Sequence, residues 1–348
     1  MSNCLCVLVP TPAHSALGPV LTYRSPQPLP LGTLVRVPLG KREILGVVWE
    51  PSPSPALATA DATSAINPDK LRDVAGVLQG IAPLGAAWQQ LVRFAAQYYQ
   101  RSVGEVALAA LPPQLRDLST EQIQRKLRRK PIVLAANGEQ ATPAPHLSAE
   151  QADVLAQIQR HSGPFLLFGA TGSGKTEVYL RAVEDLLAHN PQAQALVMVP
   201  EINLTPQLEA RFLERFASLF GAQAVVSLHS GMTPAQRLTS WLAAHSGSAR
   251  IVLGTRMAVF ASLPGLRLIV VDEEHDPSYK SSEGARYSAR DLAVYRGKLQ
   301  AAKVLLGSAT PSLESWHHSR PVSAGGRYQR LLMPSLLGHT PQAVPGAA

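Results

Sequence analysis

Cysteine is almost absent: Cys4 and Cys6 are the only two in 348 residues, and both sit in one apolar run. No Cys-x-x-Cys pair exists, which excludes a cysteine-based zinc site within this chain; strand packing is the expected role of both thiols. Charged residues are also few, at 16%, and aromatic residues make up 5%. No apolar run approaches the ~18 residues that cross a membrane, and the first residues lack the basic start of a signal peptide. These absences lead to the expectation of a soluble cytoplasmic protein with no membrane partner. The apolar share of 46% argues for a folded chain, long enough for two cores. A net charge of +8 and a pI near 9.7 favour a polyanionic partner such as nucleic acid, though many basic proteins bind none.

The patterning divides the chain. Short apolar or alternating runs at 5–9, 34–37 and 44–49 read as strands, and a Pro/Ser/Ala-rich stretch at 51–68 reads as a long surface loop. Leu84, Trp88, Leu91, Ala95 and Tyr98 recur at helical spacing, and Pro112–Pro113 close that unit. Residues 114–145 carry a basic cluster and little periodicity, as a linker with one short helix would. Beyond them, apolar runs at 165–168, 196–199, 251–253, 268–271 and 304–306 alternate with helical stretches, the pattern of a parallel sheet in an α/β domain. The expected units are a small mainly-β domain with a terminal helix at 1–113, a linker at 114–145, an α/β lobe at 146–330 and a tail at 331–348.

The chemistry concentrates in that lobe. Gly169, Ala170, Thr171, Gly172, Ser173, Gly174, Lys175 and Thr176 fit GxxxxGK[ST], placed between an apolar strand and a helix. Glycine lets backbone N–H groups approach phosphates, and the helix N-terminus adds a favourable dipole. Lys175 is placed to reach the β- and γ-phosphates of ATP, with the Thr176 hydroxyl on Mg²⁺. About a hundred residues later the run at 268–271 leads into Asp272, Glu273, Glu274 and His275. Asp272 would hold the Mg²⁺ and Glu273 would polarise an attacking water. His275 would couple the site to its neighbours. Ser308 and Thr310, in Gly-Ser-Ala-Thr-Pro after the last strand, either join that coupling or cap a helix. Gln151 either reads an adenine edge or simply starts a helix.

Read in order, Gln151, the P-loop, VPEINLTPQ at 199–207, SLHS at 227–230, GTR at 254–256, DEEH and GSAT resemble superfamily 2 DNA helicases. The VPEINLTPQ string, the run at 279–291 and the segments 21–23, 35–40 and 46–48 are narrower. They resemble the PriA family of primosomal replication-restart proteins, over about residues 5–335. The resemblance implies a RecA-like helicase lobe preceded by a 3′-end DNA-binding domain, ATP and Mg²⁺ as cofactors, and no zinc within this chain. It implies 3′-to-5′ translocation on DNA by the complete enzyme. The implied partners are replication forks, single-stranded DNA, nascent 3′ ends, single-stranded-DNA-binding protein and primosome loading proteins. By residue, it implies a 3′-end pocket at Leu21, Thr22, Gly40 and Arg72, of which Leu21 and Gly40 equally suit strand and turn packing. Single-strand contacts are implied at Thr205, Thr255, Arg256, Tyr279, Lys280, Arg286 and Tyr287.

Four departures modify the expectation. The sequence stops at Ala348, without the family's second lobe, its arginine-bearing motif and its zinc module. Ala285 stands where a tryptophan is usual, and Thr22 where some relatives carry aspartate. The winged-helix region is reduced to residues 114–145. The expected behaviour of this chain alone is therefore binding of ATP and DNA without efficient unwinding. The alternatives are a fork-binding adaptor that uses nucleotide as a conformational ligand, or another kind of P-loop NTPase, against which the DEEH and GSAT pair argues.

Overall fold

The computed structural model describes residues 3–11, 18–51, 71–128, 145–204 and 206–335. The loop expected after Pro51 and much of the 114–145 linker lie outside them; the linker's one expected short helix is present at Thr120–Arg128. The N-terminal strands β1 (Asn3–Leu8), β2 (Val20–Ser25), β3 (Leu34–Leu39), β4 (Arg42–Val48) and β5 (Gly76–Val77) form one antiparallel sheet in the order β2-β1-β4-β3-β5. Alternation drives it: Leu5, Val7, Val35 and Val37 point into one small core while Leu8, Leu34 and Leu45 point into another. Gly40, at φ +62, makes the tight β3–β4 turn that a side chain would strain. The chain before β5 bonds to β2 through Arg24 N–H to Arg72 O (2.9 Å) and Val74 N–H to Arg24 O (2.9 Å). It then joins β3, so the two edges of the sheet are tied together.

Helix α1 (Ala86–Tyr98) buries Trp88, Leu91 and Ala95 of the expected stripe together with Val92 and Ala96, while Tyr98, expected on that face, is exposed at the helix end. It also fastens the N-terminal unit to the α/β unit. The Trp88 indole donates to Phe260 O at 2.7 Å, the Phe94 and Tyr295 rings stack at 3.9 Å, and the Tyr99 hydroxyl accepts from Ser288 N–H at 3.0 Å. The short helices α2 (Val103–Ala109) and α3 (Thr120–Arg128) follow.

The second sheet is parallel throughout, in the order β12-β6-β11-β10-β7-β9-β8. Its strands are β6 (Phe165–Gly169), β7 (Gln194–Met198), β8 (Val225–Leu228), β9 (Ile251–Gly254), β10 (Leu266–Val271), β11 (Lys303–Ser308) and β12 (Gln329–Met333). Helices α4 (Ala149–Arg160), α5 (Lys175–His189) and α6 (Pro206–Phe220) share a core with Phe165, Leu167, Val197 and Val270 on one face. Helices α7 (Pro234–Ser246) and α8 (Ala289–Gln300) pack with Leu166, Leu196, Ile269 and Leu306 on the other. Both faces are covered, which is why these strands read as unbroken apolar runs. A short helix, α9 (Leu313–His318), precedes β12. Strand β12 corrects the expected boundary at 330. It pairs with β6 through Met333, and Leu331 and Met333 are buried in the sheet's core, so the lobe continues where a tail was expected. The whole is an α/β lobe, a seven-stranded parallel sheet covered by helices on both faces, preceded by a small antiparallel-sheet domain.

Candidate nucleotide and DNA sites

Strand β6 delivers the P-loop and α5 begins at its end. Gly172 (φ +83) and Gly174 (φ +85) take the left-handed conformation that turns the loop over the helix N-terminus. Lys175 is buried, and its ammonium donates to Gly169 O (2.9 Å) and Ala170 O (3.3 Å). The cation is thus stored against the loop's own carbonyls. Asp272 lies at the end of β10. Its Oδ1 accepts from the Tyr179 hydroxyl (2.9 Å) and the Glu273 N–H (3.1 Å), while Tyr279 donates to its backbone carbonyl (2.7 Å). Burial lifts the Asp272 carboxyl above the usual range; the Tyr179 hydrogen bond works against that rise. Glu273 holds φ +45, an uncommon conformation for a non-glycine residue, beside the Asp272 carboxylate.

These groups meet at one cavity of about 400 Å³, lined by Gln151, Thr171, Lys175, Thr176, Asp272 and Glu273 among others. Its size suits a nucleotide. The stored cation, glycine cradle, hydroxyl and partly buried carboxylates form a donor set suited to a magnesium–phosphate group. His275 joins the site to the next strand: its Nδ1 lies 2.8 Å from Ser308 Oγ and its Nε2 lies 3.3 Å from Thr310 Oγ1. Ser308 and Thr310 are thereby brought together with DEEH, and the cap of α9 is Ser312 instead. Glu274, which sequence reasoning gave no role, is buried and accepts from Ser312 N–H (2.7 Å), Ser315 Oγ (2.8 Å) and Arg290 (3.3 Å). It pins α9 under the site.

One expectation needs correction and another is narrowed. Of the two readings of Gln151, the helix start is the one its hydrogen bonds take. Its amide completes a capping box with Ser148, accepting from Ser148 N–H at 2.8 Å, and donates to Gly174 O at 3.2 Å, so here it braces the P-loop. Tyr279 is buried beneath Asp272, so its ring offers no face for stacking on a base. Tyr179 was missed, although its position four residues after Lys175 puts it one turn along the same helix face. Adding a Cβ at Gly307 would place it 1.7 Å from the Tyr179 hydroxyl. Gly307→Ala should therefore displace Tyr179 from Asp272 and cost about 1–3 kcal/mol in urea unfolding. Adding Tyr179→Phe to it should restore part of that loss.

The remaining residues scatter over two surfaces. Arg72 donates to Gly40 O at 2.7 Å, beside β2, where Leu21 and Thr22 are half-buried. The Thr22 hydroxyl is hydrogen-bonded to the Cys6 thiol, whose pKa burial raises and that bond lowers. Thr255 is buried with its hydroxyl unpartnered among the described residues, and the Arg256 guanidinium reaches Ser278 O (3.4 Å) and Glu201 (3.6 Å). Lys280 is exposed with its ammonium 5.2 Å from the Tyr99 ring centroid, and Arg286 is exposed. Tyr287 meets Phe260 edge-on at 5.0 Å, and burial pushes its hydroxyl up to about 12. Thr205 lies outside the described residues.

The DEAD/DEAH box helicase family matches residues 148–318, and the PriA 3′ DNA-binding domain matches residues 6–112. The class is thus a helicase lobe carrying an N-terminal DNA-binding domain. The Replication restart protein PriA of Haemophilus influenzae is 43% identical over 219 residues, 62% of this chain and 28% of that protein. Those of Rickettsia felis and Helicobacter pylori are 31% and 35% identical over 323 and 315 residues, covering 91% and 89% of this chain and 45% and 44% of theirs. The chain belongs to the PriA family of replication restart proteins, and spans less than half the length of these relatives. Among solved structures, the DEAD-box helicase Mss116 bound to ssRNA and UDP-BeF is 18% identical with a TM-score of 0.43, over 55% of this chain and 41% of that one. RecG bound to a three-way DNA junction is 18% identical with a TM-score of 0.42, over 73% and 30%. Among the described residues no helix is long and apolar enough to cross a membrane.

Proposed function

We propose that this chain is the ATP- and DNA-holding portion of a replication-restart motor. The observation that carries the reading is the convergence of Lys175, Thr176, Asp272 and Glu273 on one cavity, with His275 linking it to Ser308 and Thr310. In this reading Lys175 leaves the Gly169 and Ala170 carbonyls for the β- and γ-phosphates of ATP, and Thr176 and Asp272 hold Mg²⁺. The P-loop backbone from Gly169 through Gly174 cradles the phosphates, and Gln151 braces it. The metal, when bound, neutralises charge on the phosphate oxygens. Glu273 orients a water and takes up its proton at a carboxylate oxygen. His275, Ser308 and Thr310 relay the state of the site across the sheet edge.

DNA is held on the other surfaces. Leu21, Thr22, Gly40 and Arg72 form the 3′-end site, and Thr205, Arg256, Lys280, Arg286 and Tyr287 follow a single strand by its backbone, while Thr255, buried as it is, is left out of that contact. The setting is the bacterial cytoplasm, at stalled forks, with single-stranded-DNA-binding protein and primosome loaders as partners. The complete family protein would translocate 3′ to 5′ on ATP hydrolysis; these 348 residues alone bind both ligands with slow turnover. Anisotropy on labelled forks tests the DNA half. A fork ending in a free 3′-OH should bind about tenfold more tightly than the same fork ending in a 3′-phosphate, the worth of one well-placed hydrogen bond. Equal affinities would remove the 3′-end site from the reading.

A further inference from the structure

Three arginines surround one carboxylate in the wall of the nucleotide cavity, which Glu177 and Arg211 both line. Glu177 follows Thr176 on the first turn of α5 and is nearly inaccessible, at 7% side-chain exposure. Arg181 lies 3.3 Å from it, Arg215 3.5 Å and Arg211 3.7 Å. Two of the three are fixed elsewhere as well. Arg215 pairs with Glu184 at 2.7 Å, and Arg181 donates to Pro145 O at 3.1 Å. Among the described residues Arg211, on α6, has only the long Glu177 contact, and it keeps 52% of its side chain exposed. Glu177 is already neutralised without it. A flexible cation with one weak anchor, at the wall of a binding cavity, is placed to serve a ligand.

The position within the cavity indicates which part of the ligand. Lys175, Asp272 and Glu273 mark the phosphate and metal end. Pro145, His146 and Gln151 line the cavity too, where the chain enters α4. The Arg181 bridge from Glu177 to Pro145 O puts Glu177, and with it Arg211, beside that entering strand. A base extending away from the P-loop would lie over the outer face of the first turn of α5, between the Pro145–His146 segment and α6. A guanidinium is planar and weakly hydrated, and stacks on aromatic faces where a lysine ammonium does not.

We propose that Arg211 is the nucleobase-stacking wall of the nucleotide site, resting on Glu177 until a base enters. The inference rests on the ATP-site reading above and adds a residue and a ligand group that the P-loop does not specify. The test is calorimetric titration of the full chain and its Arg211→Ala and Arg211→Lys variants with MgATP and with magnesium tripolyphosphate, which has the phosphates but no base. Arg211→Ala should weaken ATP about fivefold to tenfold and leave tripolyphosphate unchanged, the size of one partly desolvated cation–π contact. Arg211→Lys should fail to restore ATP affinity. Equal losses for both ligands, or rescue by lysine, would show a phosphate-binding charge and overturn the inference. Unchanged ATP affinity in Arg211→Ala would overturn it too, while leaving the ATP site itself standing. Failure of the unaltered chain to bind either ligand would defeat both. Unliganded melting temperatures should agree across the three proteins, because Glu177 keeps Arg181 and Arg215.

Discussion

Lys175→Ala is expected to weaken MgATP binding at least about thirtyfold, roughly 2 kcal/mol, while the unliganded protein melts almost where the parent does. The asymmetry follows from what the ammonium does in each state. Without nucleotide it donates to two P-loop carbonyls, Gly169 O and Ala170 O, at 2.9 and 3.3 Å. Lys175 itself lines the cavity, so water entering in place of the truncated side chain can take up those carbonyls, and truncation costs little stability. With nucleotide present the same cation is the principal positive side chain facing the phosphates. Arg211, the other strongly basic group lining the cavity, serves the base and not the phosphates in the arrangement proposed above. A titration calorimeter measures the affinity and differential scanning fluorimetry the melt. Undiminished ATP affinity in Lys175→Ala would place the phosphates elsewhere.

Asp272→Asn should do the reverse to stability and as much harm to function. Burial raises the Asp272 carboxyl pKa in the folded protein above its unfolded value. The ionised group therefore destabilises the fold: stability falls as pH rises from the unfolded value through the folded one, and at neutral pH the cost is present. Asparagine keeps an oxygen for the Tyr179 hydroxyl and the Glu273 N–H but carries no charge. The unliganded variant should gain roughly 1 kcal/mol, about 2–4 °C in Tm, at neutral pH. The gain should shrink in acid, where aspartate is protonated in both states. Magnesium-dependent stabilisation by ATP should be lost. A variant that melts lower at neutral pH and still responds to MgATP would refute both the charge argument and the metal role.

The sequence carried the site's chemistry well because that chemistry is local. A P-loop is eight consecutive residues, and DEEH directly follows its strand, so spacing alone placed Lys175 and Asp272 at one sheet edge. The buried strands were equally plain wherever the apolar run was unbroken. Strands β8 and β12 escaped notice for physical reasons: β8 is four residues long, and β12 alternates because it lies at a sheet edge with Leu332 exposed. What sequence could not carry was non-local pairing. Glu274 and Tyr279 belong to the same motif region as Asp272 and Glu273, yet one pins α9 and the other supports Asp272 from beneath. Gln151 had two readings, and the capping box chose the helix start without removing it from the cavity. The N-terminal site was legible only through resemblance, since the Arg72–Gly40 contact spans a stretch with no periodic signal.

In the proposed reading one chain joins a magnesium-dependent nucleotide site to a DNA-binding domain in a single folded molecule. Calorimetric titration of the unaltered 348-residue chain with ATP, in the presence and absence of Mg²⁺, should then give one ATP per chain, bound with Mg²⁺ and bound far more weakly when the metal is chelated. No heat of binding in magnesium, or binding indifferent to the metal, would rule out such a site.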